Sequence, residues 1–330
     1  MPANLPPQYF EIEEKYRQAK TVEEKLETLE EMLAIIPKHK GTEKLQAEIK
    51  QKISKLKKAG AEKSKKGKSF DPFLIEKSGA AQIAVLGPPN SGKSTLLHVF
   101  TNARPEVADY PFTTFYPTPG MMLYEDIKIQ LLDLPPIGER KIEGNFANAL
   151  RRVEGAVLLL DAQNAKILEE LEVVLKALED SKIKIGTETV ELPSANWFFL
   201  PTFILVNKVE SKEHQEVAEM IQEFYKDRFL VKGISLHHLK EEEKTVIKKH
   251  IFDIAGIIRV YSKPPGKPPD FERPFILKKG ETVRDLAGQI HHDLLRNLKG
   301  ARVWGSTRFE GQLVPPEYVL FDRDVVEIRT

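Results

Sequence analysis

The 330-residue chain predicts an α/β fold with a mostly parallel sheet, preceded by a helical hairpin and followed by a small α+β module. Three observations carry that expectation. Beyond Ala81, short apolar runs alternate with helix-length segments, the pattern of strands joined by crossover helices. The first run, Gln82-Ile83-Ala84-Val85-Leu86, leads straight into Gly87-Pro88-Pro89-Asn90-Ser91-Gly92-Lys93-Ser94. After the proline-rich segment Lys263-Pro264-Pro265-Gly266-Lys267-Pro268-Pro269, strand, helix and short strands follow in quick succession.

Taken in order, residues 8–58 are rich in Glu, Lys and Leu. Val22, Leu26, Leu29, Leu33 and Ile36 recur at helical spacing, and Thr21 with Glu24 has the spacing of a capping box. Pro37 to Gly41 breaks this helix, and Leu45, Ile49, Ile53 and Leu56 form a second stripe, with room for a further helix before Thr21. Lys55 to Lys68 reads as a flexible basic linker. Strands are expected at 82–86, 121–124, 127–132, 155–160, 203–206 and 231–234, and helices from Lys93, over 166–179 and near 239–252. Ser181–Pro201 reads as an irregular insertion. In the last module the expectation is a strand at 257–261 and at 275–277, a helix over 283–298, then strands at 302–304, 318–321 and 325–329. The domain boundaries that follow are 1–69 for the hairpin and linker, 70–256 for the α/β domain and 257–330 for the C-terminal module.

Composition narrows the function. A net charge of +1 confines any nucleic-acid affinity to local patches. Without cysteine there is no disulfide, thiolate metal site or thiol nucleophile. No apolar stretch is long enough to span a bilayer, and the first residues lack the basic and apolar regions of a secretion signal. A cytoplasmic protein with no membrane association is expected.

The segment Gly87–Ser94 fits G-x-x-x-x-G-K-[ST] between a strand and a helix, the arrangement of a P-loop. Its glycines let the backbone curl with N–H groups aimed at phosphate oxygens, and the helix N-terminus adds partial positive charge. Pro89, Asn90, Ser91, Gly92, Lys93, Ser94 and Thr95 would surround the phosphates, with Lys93 on the β- and γ-phosphates and the Ser94 hydroxyl on Mg²⁺. Asp133, closing the run Ile129-Gln130-Leu131-Leu132, is placed to hold a Mg²⁺-bound water. Within Tyr110-Pro111-Phe112-Thr113-Thr114, a threonine such as Thr114 can close onto the metal and the γ-phosphate when triphosphate is bound. Asn207-Lys208-Val209-Glu210 approximates the guanine-reading N-K-x-D, whose carboxylate accepts from N1–H and the amino group together. Ser235-Leu236 stands where a backbone N–H would meet guanine O6.

Together these residues resemble the Obg-related P-loop GTPases with a Ras-like G domain, most closely the DRG (developmentally regulated GTP-binding) group and its TGS-bearing prokaryotic relatives. The likeness runs from Ala81 to Pro136 and resumes at Ile258-Arg259-Val260-Tyr261-Ser262-Lys263-Pro264, Val303-Trp304-Gly305 and Asp324-Val325-Val326, which look like a β-grasp TGS domain. The resemblance implies GTP and GDP as ligands, Mg²⁺, slow GTP hydrolysis with Lys93, Asn90 and Thr114 as catalytic residues, and a ribosome, structured RNA or protein as partner. An asparagine at the position of Asn90 implies K⁺ beside the β- and γ-phosphates. RNA contact would use the basic N-terminal region and Arg259, Lys263, Lys267, Arg273, Lys278, Lys279 and Arg302, with Trp304 as either a stacking or a core residue. No counterpart of the extra domain inserted in eukaryotic members is found.

Four departures stand out. Asp-x-x-Gly becomes Asp133-Leu134-Pro135-Pro136, so an N–H that would meet the γ-phosphate is gone unless Gly138 supplies it. Ile137 occupies the position of the water-orienting glutamine of Ras-like proteins, as is common in the resembled group. Glu210 replaces Asp, and Leu236 replaces the usual alanine. Two other functions are therefore carried alongside the GTPase: a nucleotide-gated RNA-binding module with negligible hydrolysis, and an ATPase of similar fold.

Overall fold

The computed structural model describes residues 12, 28–29, 31–33, 35–36, 46–47, 49–53, 71–101, 117–138, 142–187 and 191–330. The chain forms two compact units, Met1–Asp71 and Pro72–Thr330. In the first, Ile12, Leu29, Met32, Ile36 and Ile49 are buried together, with Leu33, Ile35 and Ile53 packed against them. All of these except Ile36 are helical. Val22, Leu26, Leu45, Leu56, the pair Thr21 and Glu24 and the lysine-rich segment 55–68 lie outside the described residues.

The second unit begins with β1 (Ala81–Leu86), buried at every position. Alternation divides its residues between two layers. Ile83 and Val85 face Leu96 and Leu97 of α1 (Lys93–Phe100). Ala84 and Leu86 face the side of α2 (Gly144–Leu150) and α3 (Ile167–Asp180), with Leu150, Leu171 and Leu178 in that layer. Neither face of the strand meets water, which is why it reads as an unbroken apolar run.

The sheet runs β2 (Thr118–Tyr124), β3 (Ile127–Asp133), β1, β4 (Gly155–Asp161), β6 (Phe198–Asn207) and β5 (Ile183–Gly186), with β7 (Val231–Gly233) also on β6. Only β2 and β3 pair antiparallel. β5 pairs with the first half of β6 and β7 with its second half. Thr187 joins them, its N–H donating to Arg228 O at 2.9 Å and its Oγ1 accepting from Leu230 N at 2.7 Å. Ser181–Pro201, expected to be irregular, thus supplies one strand and the start of another. Two further helices, α4 (Lys212–Tyr225) and α5 (Glu241–Ala255), complete the layers, Ile221 and Ile251 being fully buried.

α5 stops at Gly256, which adopts φ 61, and β8 (Ile257–Ser262) begins at the next residue. β8 belongs to a second sheet, ordered β11 (Gln312–Val314), β10 (Gly300–Trp304), β12 (Asp324–Arg329), β8 and β9 (Phe275–Lys278). β8 and β12 are parallel and the remaining pairs antiparallel. Across one face lies α6 (Val283–Ile290), burying Val283 and Leu286 with Ile258, Val260, Val303 and Val326, a β-grasp arrangement. The helix expected over 283–298 breaks at His291, which is extended at φ −166 and accepts from Asp293 N to cap α7 (His292–Arg296). The strand expected at 318–321 reduces to one bridge, Val319 to Thr282, and the sheet edge is taken by β11 instead.

The two sheets meet at a buried charge. Arg259 on β8, expected to be exposed, is only 2% accessible at its side chain. Its guanidinium donates to Asp322 Oδ1 and Oδ2 at 3.0 and 2.6 Å, to Asp126 Oδ1 at 2.7 Å and to Glu125. Tyr124 and Phe252 stack on each other beside it, with its Cζ 5.5 and 5.0 Å from their ring centres. Tyr261 donates to Asp126 Oδ2 at 2.6 Å, and Arg323 pairs with Glu125. Glu125 and Asp126 form the turn between β2 and β3, so the C-terminal module grips the tip of that hairpin.

These partners shift the carboxyls. Hydrogen bonds from Arg259 and Arg323 hold Glu125 below its usual range. Burial works to raise Asp126, but the bonds from Tyr261 and Arg259 outweigh it and leave it lowered. A carboxyl depressed by folding contributes stability above its unfolded value and loses it as pH falls through the folded one. The stability difference between wild type and Asp126→Asn is therefore expected to be constant from about pH 8 to 5 and to shrink below about pH 4. Urea titrations at pH 7 and pH 3 test this. A difference that is the same at both would show that Asp126 is not held by these bonds.

Candidate nucleotide site

The parallel strands deliver the site residues to one edge. β1 ends at Leu86, and its Val85 pairs with Asp133 at the end of β3. β4 and β6 end level, Asp161 opposite Asn207. Ligands of open parallel sheets bind outside such carboxyl ends.

Between β1 and α1 the chain curls through left-handed angles at Asn90 (φ 63) and Gly92 (φ 100). The fully buried Ser91 donates from Oγ to Pro88 O at 3.0 Å, and Lys93 Nζ donates to the same oxygen at 2.8 Å. α1 starts at Lys93 without a side-chain cap, so its first-turn amides are available to an anion. A Cβ on Gly92 would stand 2.3 Å from Asn207 Nδ2. That contact and the positive φ together make any side chain here strained. Gly92→Ala should displace Asn207 and lower GDP affinity about fivefold or more, since backbone strain alone is worth about 1–3 kcal/mol. Fluorescence titration checks this, and unchanged affinity would contradict the described loop.

The loop is dry enough to oppose its own charges. Burial pushes Lys93 below the usual lysine range, only partly offset by Asp133. Burial pushes Asp133 up against the bond from Ser94 and the pull of Lys93. Ser94 Oγ donates to Asp133 Oδ2 at 2.6 Å, so the two expected metal-side groups are in contact. Asp133 Oδ1 is buried without a hydrogen-bond partner among the described residues. A hydroxyl and one orphaned carboxylate oxygen fit Mg²⁺, which takes few protein ligands and completes its shell with waters and phosphates. Among the described residues, no group of three His, Cys, Asp or Glu is placed to hold a metal. Thr114, with Tyr110 to Thr113, lies outside the described residues.

Past Asp133, Leu134 N donates to Val85 O at 3.3 Å and Ile137 N to Gly87 O at 3.1 Å. The prolines between have no N–H. The next backbone N–H is that of Gly138, which is not engaged by any described residue and lies beside a cavity of about 400 Å³ that Pro88, Pro89 and Glu170 help to line.

At the other end, Asn207 is 2% exposed and ties three segments together. Its Nδ2 donates to Ser91 O at 3.0 Å, and its Oδ1 accepts from Leu236 N at 3.1 Å. The Leu236 N–H, expected to face guanine O6, is thus engaged by Asn207. Ser235 Oγ is buried with no partner. Lys208 at φ 62 pairs with Asp161, and Gln163 Nε2 donates to Glu210 Oε2 at 3.0 Å. Asp161 and Gln163 were missed in the sequence. The usable signal was Asp161 closing an apolar strand just as Asp133 does.

Residues 82–189 match the family described as 50S ribosome-binding GTPase, and residues 258–330 match the TGS domain. An uncharacterised GTP-binding protein of Methanocaldococcus jannaschii is 32% identical over 370 residues, covering 93% of this chain and 92% of that one. Developmentally-regulated G-protein 1 of Arabidopsis thaliana is 31% identical over 360 residues, covering 92% and 90%. Both alignments are longer than this chain, so the relatives carry inserted residues. These matches, on this fold, make the chain a P-loop GTPase-family domain followed by a TGS domain. The chain belongs to the developmentally regulated GTP-binding protein family. No helix among the described residues is long and apolar enough to cross a membrane.

Proposed function

We propose that the protein binds GTP with Mg²⁺ on the Gly87–Ser94 loop, hydrolyses it slowly to GDP, and acts as a cytoplasmic switch on the ribosome or another structured RNA. The observation that carries the nucleotide reading is the loop's geometry: backbone curled through positive φ at Asn90 and Gly92, the buried Lys93 at the helix start, and Asp133 bonded to Ser94 with its Oδ1 buried and unbonded among the described residues. A polyphosphate with its metal supplies what Lys93 and Asp133 each lack. In this reading Ser94 and Asp133 hold the metal and Thr114 joins them. Pro89 to Thr95 surround the phosphates, and Asn207, Lys208, Glu210, Ser235 and Leu236 form the base corner.

Exposed Lys267, Arg273, Lys278, Lys279 and Arg302 support an RNA-facing TGS domain, as does the ribosome-binding description of the matched family. Arg259 is withdrawn from that set by its burial. Trp304 is a packing residue rather than a stacking platform: Lys263 Nζ lies 5.1 Å from its ring centre, and a Cβ on Gly311 would touch the ring at 3.0 Å.

A second reading, nucleotide-gated RNA binding with negligible turnover, is favoured by one observation: Pro135, Pro136 and Ile137 offer the γ-phosphate no free N–H. Single-turnover hydrolysis separates the two. A rate above the buffer blank, faster in K⁺ than in Na⁺ at equal ionic strength, supports the switch with Asn90 aiding a monovalent cation. Equal rates in the two salts remove the Asn90 role, whose asparagine is then accounted for by φ 63. A rate equal to the blank favours the module. Co-sedimentation with ribosomes that ignores both nucleotide and salt would contradict RNA-directed switching.

A further inference from the structure

We propose that Arg259 of the TGS domain is a positioning residue for the nucleotide site, acting through the β2–β3 hairpin, so that TGS docking and γ-phosphate binding are one linked equilibrium. The proposal rests on the nucleotide reading above. Its basis is where the two ends of the hairpin lie. β2 and β3 are in continuous register from Thr118 opposite Asp133 to Tyr124 opposite Ile127, joined by the two-residue turn Glu125–Asp126. A fully paired hairpin with so short a turn is stiff along its length, and because β3 is also paired with β1 up to Val85 opposite Asp133, a strain at the turn is carried about 20 Å along seven residues of strand to the end where β1 enters the phosphate loop. Its open end is nucleotide machinery: β3 runs into Asp133, bonded to Ser94, and on to Gly138, while β2 follows the segment that holds Thr114.

Its closed end is held by the other domain. Arg259, Tyr261 and Arg323 bond the turn, and Arg259 is in turn fixed by Asp322. Arg259 also lies against Tyr124 of β2 and Phe252 of α5, so a shift of the turn would disturb both its hydrogen bonds and its packing. By linkage, whatever fixes the Asp133 end stabilises the clasp, and the clasp favours the ligand that fixes that end by the same factor. In the nucleotide reading above, the Gly138 N–H meets a γ-phosphate, which a diphosphate lacks. The coupling therefore discriminates between triphosphate and diphosphate.

The test measures affinities for GDP and for a non-hydrolysable GTP analogue, each with Mg²⁺, in wild type, Arg259→Met and Tyr261→Phe. Tyr261→Phe removes only the bond to Asp126 and serves if Arg259→Met folds poorly. Hydrogen exchange over 118–133 and 257–262 is followed in parallel. Arg259→Met should weaken the analogue about five- to tenfold with GDP within about twofold. Tyr261→Phe should move the ratio in the same direction by less. In wild type the analogue should protect amides of 257–262 more than GDP does. A ratio unchanged in both variants, or a loss equal for the two nucleotides and tracking melting temperature, would reduce the clasp to a structural joint and overturn the proposal. Failure of wild type to bind either nucleotide at millimolar concentration would instead overturn the nucleotide reading and this proposal with it.

Discussion

Replacing Lys93 with alanine is expected to abolish most nucleotide affinity while leaving the empty protein as stable as before or more so. Lys93 is 8% exposed, and among the described residues its ammonium donates only to Pro88 O, at 2.8 Å. Burial already lowers its pKa, a sign that the folded loop disfavours its charge. A folded pKa below the unfolded one means that this lysine subtracts stability at neutral pH, so its removal relieves the free protein. With polyphosphate bound the balance reverses. Charge-assisted hydrogen bonds are worth about 1.5–3 kcal/mol each, and contact with two phosphates supplies about 3 kcal/mol, a factor of about one hundred or more. Calorimetric titration and a melt without nucleotide test both signs. Affinity within threefold of wild type would contradict the placement of Lys93, and a fall in the nucleotide-free melting temperature would contradict the electrostatic account.

Arg259→Met is expected to be the most destabilising single change outside the apolar layers. It removes the one cation shared by Glu125, Asp126 and Asp322 and leaves them facing each other with Arg323 alone. Breaking a buried pair from one side costs about 3–5 kcal/mol. The 41% exposure of Glu125 allows water to screen part of this, which puts the loss near the lower end, about 3 kcal/mol. Adding Asp126→Asn and Asp322→Asn to Arg259→Met should recover much of it, because the damage is stranded charge rather than lost volume. Urea unfolding of the three proteins decides. No recovery on neutralising the carboxylates would mean that the aromatic contacts with Tyr124 and Phe252, not the charges, hold the joint.

How much of this was legible in the sequence follows from how local each feature is. Gly87 to Ser94 was readable because curled backbone, helix start and lysine all lie within eight residues. Asn207-Lys208 was readable because it closes an apolar run. The cross-links that make the corner rigid were not: Asn207 to Ser91 spans 116 positions, and no periodicity reports it. Residues 181–201 misled because β5 is four residues long and its neighbour β6 starts half-exposed. β11 misled for the same reason, with two of its three residues exposed. Arg259 was grouped with the exposed basic residues of the C-terminal module, and nothing in its sequence neighbourhood reports its burial. What covers it is a turn more than 130 positions earlier. Local chemistry announces a phosphate loop, whereas the joint that connects it to a second domain is written in long-range pairs.

The central claim is that a guanine nucleotide with Mg²⁺ completes the loop and the Asn207–Glu210 corner. The most direct measurement is a calorimetric titration of the wild-type chain with GTP, GDP and ATP, each with Mg²⁺, repeated for Glu210→Asp. The account predicts saturable binding of GTP and GDP at least tenfold tighter than ATP, with the margin widened by Glu210→Asp. ATP binding as tightly as GTP, in both proteins, would contradict it.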